Sequence, residues 1–250
     1  MHYEMMFPDQ IRDAIDRRIP VVMVLGIVEY HADHLCVGTD SLLPQRALAL
    51  LEKEFDMVIM PSIPYCAASY AVAKPERNGT IHVGAPALTA YGKDVFRSLL
   101  RIGFRNVHCF YAHQSENYIQ GMPTDLAFKL AAREAIFEFL DQERGEGWWG
   151  DEKSADYYEK HHSGGENPFN WIQIHPYKLP CLQSKHPGDH AGISETSLMS
   201  VLCPEGVRPD APRKHWFTKP SEQASEEYGQ LVLEDILTEL RKLLNPNRGA

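Results

Sequence analysis

The sequence predicts an α/β domain built around a mainly parallel β-sheet. Residues 21–28 form an apolar run without alternation, which is typical of a strand that is covered on both faces. Amphipathic helical segments alternate with this strand and with later apolar strands, and such alternation indicates parallel strands joined by helical crossovers. Because no internal repeat or clear linker interrupts the pattern, we assign all 250 residues to a single domain.

The first half of the chain contains two predicted helices and two predicted strands. A short helix is expected at 9–18, before the strand at 21–28. A second helix is expected at 40–54, because leucines recur at helical spacing behind a start signal at Thr39 and Asp40. The apolar residues 57–60 then predict a second strand, which completes a strand–helix–strand unit.

The alternation of predicted helices and strands continues in the second half of the chain. An amphipathic helix is predicted at 87–101, and Gly103 ends it before a third strand at 106–111. Further amphipathic helices are predicted at 124–142 and 222–244. The segment from about 145 to 169 is rich in glycine, charged and aromatic residues, so we expect it to be an irregular insert on the surface.

Composition narrows the classes of partner. Twenty-five basic and 34 acidic residues give a net charge of -9, which disfavours a nucleic acid bound through its phosphates. No apolar stretch approaches the roughly 18 to 20 residues of a membrane helix, and the first residues do not resemble a secretory signal. We therefore expect a cytoplasmic protein with no membrane partner. The five cysteines, widely spaced, predict neither a disulfide framework nor a thiolate zinc site.

Four polar side chains follow the first predicted strand within twelve residues: Glu29, His31, His34 and Asp40. Ligands bind at the carboxyl ends of parallel strands, because loops and helix N-termini converge there. Carboxylates and imidazoles are ligands that Zn²⁺ and Mn²⁺ accept. Taken singly, Asp40 has a structural alternative as a helix cap and each histidine as a hydrogen-bonded loop residue. Their clustering favours a metal or acid–base site.

Two later segments carry similar side chains. His113 and Glu116 follow the third predicted strand, so they are expected to face the same crevice as the first cluster. His190 and Glu195 lie on either side of Gly192 at the start of an apolar helix, which suits a metal ligand together with a proton carrier. The alternative for this last segment is an ordinary helix N-terminus in which Glu195 interacts with the helix dipole.

Three motifs carry a resemblance to a known family. The segment after the first strand matches a Glu-x-His-Gly-x-His-Leu-x-x-Gly-Thr-Asp signature, with Ala32 in place of the usual glycine. The matching residues are Glu29, His31, His34, Leu35, Gly38, Thr39 and Asp40. Residues 190–199 are close to a His-Ala-Gly-x-x-Glu-Thr-Ser motif, and Gly79-Thr80 and Gly103-Phe104 fit two shorter ones. On these residues the chain resembles the creatininase (creatinine amidohydrolase) family over about residues 18–208.

The resemblance implies a three-layer α/β/α sandwich that holds two divalent metal ions, Zn²⁺ or Mn²⁺, in a homo-oligomer that is often a hexamer. By this likeness Glu29 and His113 bind one metal, His31 binds the other, and Asp40 bridges both. The remaining carboxylate comes from Glu195 or Glu116. We prefer Glu195, because Glu116 lies one residue further along the chain than the glutamate of the family's His-x-Glu-Asn form.

The implied activity is hydrolysis of a C–N bond in a small cyclic amide or formamide by a metal-activated water. In this hypothesis His190 carries the proton to the departing nitrogen, and Asp189 orients its imidazole. His34 acts as a partner of the ligands or as a substrate contact. One alternative is a hydrolase that opens a cyclic ketone, such as an oxidised inositol, at a C–C bond. Another is a catalytically inactive binding protein on the same fold.

Overall fold

The computed structural model describes residues 1–155, 157–158 and 167–245. Its central sheet has four parallel strands in the order β2-β1-β3-β4. The strands are β1 (Val21–Val24), β2 (Val58–Ile59), β3 (Val107–Tyr111) and β4 (Ile172–Pro176). In the register Val24 pairs with Phe110, and Tyr111 pairs with Pro176. The carboxyl ends of β1, β3 and β4 therefore lie side by side along one edge of the sheet.

Six α-helices in the described residues cover both faces of this sheet. They are α1 (Pro8–Asp16), α2 (Thr39–Leu51), α3 (Ala85–Ile102), α4 (Pro123–Arg144), α5 (Ile193–Leu202) and α6 (Glu226–Leu244). Val21 and Met23 of β1 pack with α1, α3 and α4, whereas Val22 and Val24 pack with α2, α5 and α6. This alternation buries both faces of β1 and confirms the three-layer α/β/α sandwich.

The first strand is shorter than its apolar run predicts. Regular pairing ends at Val24, since Gly26 turns with a φ of +21° and donates its amide to the Ile63 carbonyl. A Cβ at Gly26 would lie 2.9 Å from the Pro64 carbonyl oxygen, so glycine permits this close approach. The rest of the run is a buried loop in which Ile27 is fully covered. The apolar run therefore predicted burial correctly, but it did not predict the length of the strand.

Two other elements differ from the sequence prediction. Strand β4 has no counterpart in it, because five residues with alternating burial directly after an irregular segment give a weak signal. The last helix begins at Glu226 and not at 222, since residues 219–223 form a 3₁₀ helix. Ser225 then caps α6 by accepting a hydrogen bond from the Tyr228 amide.

The predicted insert at 145–169 is irregular, with 3₁₀ turns at Trp148–Gly150 and Glu152–Ser154. It is not wholly a surface segment: Tyr157 is buried, and Trp148 and Phe169 pack against the core of the α3–α4 layer. Residues 156 and 159–166 lie outside the described residues. No described helix combines the length and apolar character that crossing a bilayer requires. The assignment of all 250 residues to one domain stays a prediction.

Two buried histidines form a hydrogen-bonded chain between β3 and β4. The Asn106 carboxamide oxygen lies 2.9 Å from His108 Nε2, and His108 Nδ1 lies 3.1 Å from His175 Nε2. Because the carboxamide oxygen only accepts, His108 carries its proton on Nε2, and His175 donates to His108 Nδ1. Burial lowers the pKa of His108 to about 4 and that of His175 to about 3, where the nearby His108 also contributes.

We expect this histidine pair to make stability depend on pH below neutrality. The unfolded chain has histidine pKa values near 6.5, so between about pH 6.5 and 4 it binds protons that the folded chain does not. The free energy of unfolding should therefore fall as the pH drops through this window. Replacing His175 with glutamine keeps a hydrogen-bond donor for His108. The substitution should reduce the slope of the unfolding free energy against pH by the contribution of about one proton. Urea unfolding at pH 7.5 and 5.5 measures this, and equal slopes for both proteins would contradict it.

Candidate metal centre

Six carboxylate and imidazole side chains meet at the edge where β1 and β3 end. They come from four segments, namely the loop after β1, the first turn of α2, the loop after β3, and the loop and first turn at the start of α5. The six residues are Glu29, His31, Asp40, His113, His190 and Glu195. The parallel register brings the first two loops together, and α2 and α5 point their N-termini at the same place. The sequence predicted all six as site residues.

Asp40, the second residue of α2, lies at the centre of the cluster. Its Oδ2 is 3.6 Å from His113 Nδ1 and 3.7 Å from His31 Nε2. Glu29 completes a group with Asp40 and His113, and Glu195 completes a group with Asp40 and His31. The potential ligand atoms within each group lie within 4.8 Å of one another. Asp40 therefore belongs to two groups that could each hold a cation.

The separations around His31 and Asp40 suit a metal better than direct hydrogen bonds, whereas His113 Nδ1 lies 2.9 Å from Glu29 Oε1, within hydrogen-bond distance. Ligand atoms at about 2.1 Å from a tetrahedral zinc lie roughly 3.4 Å apart. His31 Nε2 is 3.5 Å from Glu195 Oε2, and the distances to Asp40 are close to the same value. In the described part of the chain His31 Nε2 and Asp40 Oδ2 are buried and lack a hydrogen-bond partner. Buried polar atoms normally have one, so the donor set fits divalent cations.

Backbone carbonyls fix the orientation of two imidazoles. His31 Nδ1 lies 3.1 Å from the Glu29 carbonyl, and His190 Nε2 lies 2.9 Å from the Tyr30 carbonyl. Since a carbonyl only accepts, each of these nitrogens carries the proton. The lone pair of His31 Nε2 then faces Asp40, and that of His190 Nδ1 faces Glu29 Oε1 at 3.5 Å. This arrangement presents unprotonated nitrogens to the centre, as metal ligands require.

The cluster concentrates negative charge in a buried place. Burial, together with the charge of Asp40, raises the pKa values of Glu29 and Glu195. Burial acts on Asp40 in the same direction, but the His31 and His113 charges outweigh it and lower its pKa. Burial also disfavours the charge of His113, yet the nearby Asp40 carboxylate and the hydrogen bond to Glu29 raise its pKa to about 10. Without cations, a proton on His113 supplies the positive charge that the carboxylates need.

A residue with left-handed backbone follows each of three clustered histidines. Ala32 has a φ of 60°, Gln114 a φ of 52° and Ala191 a φ of 50°. The chain thus turns sharply directly after His31, His113 and His190. The glycine that the family usually has at position 32 suits this conformation, and alanine adopts it only with strain.

Asp189, His34 and Glu116 lie outside the six-residue cluster. Asp189 accepts hydrogen bonds from the Ser194 and Glu195 amides at 2.7 and 3.2 Å. It therefore secures the start of α5, whereas the Tyr30 carbonyl holds the His190 imidazole. A Cβ at Gly192 would lie 2.6 Å from the Asp189 carboxylate, so glycine leaves room for this contact.

His34 is fully buried behind the cluster. Its Nε2 lies 3.1 Å from Thr196 Oγ1, and its carbonyl accepts a hydrogen bond from the Arg208 amide. It thus ties the loop after β1 to α5 and does not line the cavity in front of the cluster. Glu116 does line that cavity, but it belongs to none of the metal-ligand groups, and its Oε1 accepts a hydrogen bond from Asn117 Nδ2.

The cavity in front of the cluster has a volume of about 270 Å³, which suits a small molecule. Besides the predicted residues, its walls include Ser69 and Val72 from the loop before α3, and Tyr177 and Lys178 directly after β4. The sequence analysis missed the last two because it missed β4. The alternation of Ile172 and Ile174 with polar residues was the signal that could have found them.

Comparison with known proteins identifies one family. A sequence model of the creatininase family, described as creatinine amidohydrolase, matches residues 4–244. A creatinine amidohydrolase from Pseudomonas putida is 23% identical over 189 residues, which make up 75% of this chain and 65% of that protein. The match thus spans slightly less than two thirds of that relative's length.

Solved structures of creatininases resemble the whole chain. A creatininase variant in complex with creatine has a TM-score of 0.70 at 17% identity, covering 100% of this chain and 99% of that one. A variant described as the Zn–Zn type has a TM-score of 0.69 at 19% identity and covers 98% of each chain. A manganese creatininase has a TM-score of 0.67 at 19% identity, covering 98% of this chain and 99% of its own. Similarity at these identities establishes the fold.

We expect Ala32→Gly to stabilise the protein by about 0.5 to 1 kcal/mol, because glycine adopts the left-handed backbone without the Cβ strain of alanine. Urea unfolding measures the difference in free energy. Ala131→Gly is the matched control: Ala131 lies buried within α4, where glycine should destabilise. Equal destabilisation by both substitutions would show that Ala32 is unstrained.

Proposed function

The chain belongs to the creatininase family, and from this membership we propose that it is a metal-dependent hydrolase cleaving a C–N bond of a small cyclic amide or formamide. One observation carries the proposal: the buried Asp40 carboxylate belongs to two of the three overlapping groups of ligand atoms, one with Glu29 and His113 and the other with His31 and Glu195. A shared carboxylate is the arrangement that holds two cations next to each other. The cavity beside this centre has room for a small substrate.

We assign Glu29, His113 and Asp40 to one cation, and His31, Asp40 and Glu195 to the other. The groupings of the side chains support this division. Glu195 is preferred over Glu116 because its Oε2 is 3.5 Å from His31 Nε2, while Glu116 belongs to none of the ligand groups. The Zn–Zn and manganese forms of similar creatininases support zinc or manganese as the metals.

The two groups would hold divalent cations, which would supply a bound water with a pKa near neutrality and polarise the amide carbonyl. The side chains of the protein supply the negative charge that such cations need. Three carboxylates, from Glu29, Asp40 and Glu195, balance most of the charge of two dications in a buried place. The Ala191 amide donates to Glu195 Oε2 at 2.7 Å and so holds that carboxylate toward His31.

His190 is the proposed proton carrier. Its ring lines the cavity and is partly exposed to solvent. The Tyr30 carbonyl holds the proton on Nε2, so Nδ1 is the atom that accepts a proton and returns it to the departing nitrogen. Burial and the neighbouring His31 charge lower the pKa of His190 to about 4, which keeps Nδ1 unprotonated at neutral pH.

The family and fold matches do not favour the alternatives, a hydrolase of cyclic ketones or an inactive binding protein. The choice between a cyclic amide and a formamide belongs to the proposal. A cytoplasmic location and a homo-oligomer such as a hexamer stay predictions from the sequence.

Activity on amides tests the function directly. We expect the zinc- or manganese-loaded protein to hydrolyse at least one of creatinine, small lactams, hydantoins and formamides. Removal of the metal by a chelator should abolish this activity, and adding the metal back should restore it. Release of amine or carboxylate is the measurement. Failure on every amide together with hydrolysis of a keto-inositol would move the assignment to the C–C hydrolase.

Replacing Asp40 with alanine should remove at least one of two cations, because the shared negative charge between them is lost. Metal analysis after gentle purification measures the metal content per chain. Asp33→Ala is the matched control, since this nearby aspartate is largely exposed and pairs with Lys214. It should keep the full metal content. An unaltered metal content in Asp40→Ala would contradict the shared-ligand assignment.

Replacing His190 with alanine should leave the metal content unchanged and slow turnover by about 10²- to 10⁴-fold, the range for loss of a general acid–base group. His82→Ala, at an exposed position, serves as the control. Full activity of the His190 variant would remove this residue from the mechanism. Loss of a metal ion from the His190 variant would show that His190 is a metal ligand, consistent with its place beside Glu29 and His31.

A further inference from the structure

We propose that Lys178 binds a carboxylate group of the substrate, so that the substrate is a small amide bearing a negative charge at a position away from the scissile bond. The inference rests on the proposed function, because it places the amide carbonyl at the metal centre and the carboxylate at Lys178, which lines the same cavity. The class of amide is thereby specified: it carries a carboxylate, as a lactam or cyclic imide with a carboxylate substituent does.

Lys178 is a buried cation in the wall of the cavity. It is 7% exposed, and it lines the same 270 Å³ space as Glu29, Asp40 and His113. Its Nζ donates one hydrogen bond, at 3.1 Å, to the carbonyl of Pro187. An ammonium group has three donor hydrogens, so two remain for other partners.

No carboxylate of the described residues lies within salt-bridge distance of Lys178. The charges of Asp189, Glu195 and Glu116 act on it from further away and favour its charged form, while burial lowers its pKa. Buried lysines are normally paired, because an isolated ammonium loses its hydration without compensation. The neighbouring carboxylates have other contacts: Asp189 secures α5, Glu195 faces His31, and Glu116 accepts a hydrogen bond from Asn117. A partner from outside the chain would complete this site.

Two hydroxyl groups that line the same cavity have unused hydrogen-bonding capacity. Tyr177 and Ser194 are buried and line the cavity, and their hydroxyl oxygens lack hydrogen-bond partners in the described residues. A carboxylate accepts about four hydrogen bonds, and it is the group that an ammonium and two hydroxyl donors together satisfy. A neutral amide ring such as creatinine would leave the lysine unpaired.

The backbone on both sides holds Lys178 in place. The Tyr177 amide donates to the Tyr111 carbonyl at 2.7 Å, which extends the pairing of β3 with β4 by one residue. The Lys178 carbonyl accepts a hydrogen bond from Gln183 Nε2 at 3.2 Å. Strand β4 thus sets the position of Lys178 at the edge of the sheet, as β1 and β3 set the positions of the metal-ligand groups.

Binding of two simple acids to the metal-loaded protein tests the proposal. Glutarate and butyrate differ by one carboxylate, so each can offer a carboxylate to the metals and only glutarate has a second for Lys178. Calorimetry should give glutarate about 10- to 100-fold tighter binding, the range for a hydrogen-bonded charged pair. Lys178→Met should reduce this preference to less than about threefold, whereas Lys178→Arg should retain part of it.

Lys185→Met is the control, because Lys185 is exposed and pairs with Asp235, and it should keep the preference of the unmodified protein. A preference that survives in Lys178→Met, or its absence from the unmodified protein, would overturn the proposal. The comparison of glutarate with butyrate on the unmodified protein can still overturn the proposal if Lys178→Met fails to fold. Calorimetry needs no turnover, so inactivity on all amides would reject the proposed reaction without affecting this result.

Discussion

Asp40 is a carboxylate that is almost completely buried, and the arrangement of the site depends on keeping it charged. Burying an ion without a partner costs several kcal/mol, so the surrounding structure must compensate. It does so in two ways: the N-terminus of α2 places a positive dipole end beside Asp40, and His31 and His113 face it from two loops. The same geometry creates two ligand groups, so the charge of this residue links the fold to the proposed chemistry.

The histidines around Asp40 are presented by sharp turns. Each of the three loops reaches the centre, places one imidazole there and then leaves through a residue in the left-handed region. Non-glycine residues adopt this region at a cost of about 1 kcal/mol or more, and such strain concentrates at functional sites. The hydrogen bonds that fix the rings, from His31 to Glu29 and from His190 to Tyr30, are to carbonyls of the loop after β1. This single loop therefore organises much of the centre.

Much of the fold and of the candidate site followed from local patterns. A continuous apolar run located β1 because strands covered on both faces have no polar side, and the helix stop at Gly103 located β3 directly after it. Helical periodicity located α2 to α4 and α6 within a few residues. Polar residues directly after those strands identified the cluster. Strand β4 was missed since an edge strand of five residues has little pattern of its own, and with it went Tyr177 and Lys178. The role predicted for Asp189 depended on where its carboxylate points, which chain order does not reveal.

The sequence alone determined which side chains carry charge or lone pairs and where along the chain they leave a strand or enter a helix. That was enough to name Glu29, His31, Asp40, His113, His190 and Glu195 among the candidate site residues, together with His34, Glu116 and Asp189. Only the tertiary structure decided that Asp40 is shared, that Asp189 secures α5 and that Lys178 faces the same cavity. The shared position of Asp40 and the place of Lys178 depend on distances between segments more than 60 residues apart, which are set by strand register and helix packing and have no local signal. Asp189 lies five and six residues from the Ser194 and Glu195 amides, and the direction of its carboxylate decided its role.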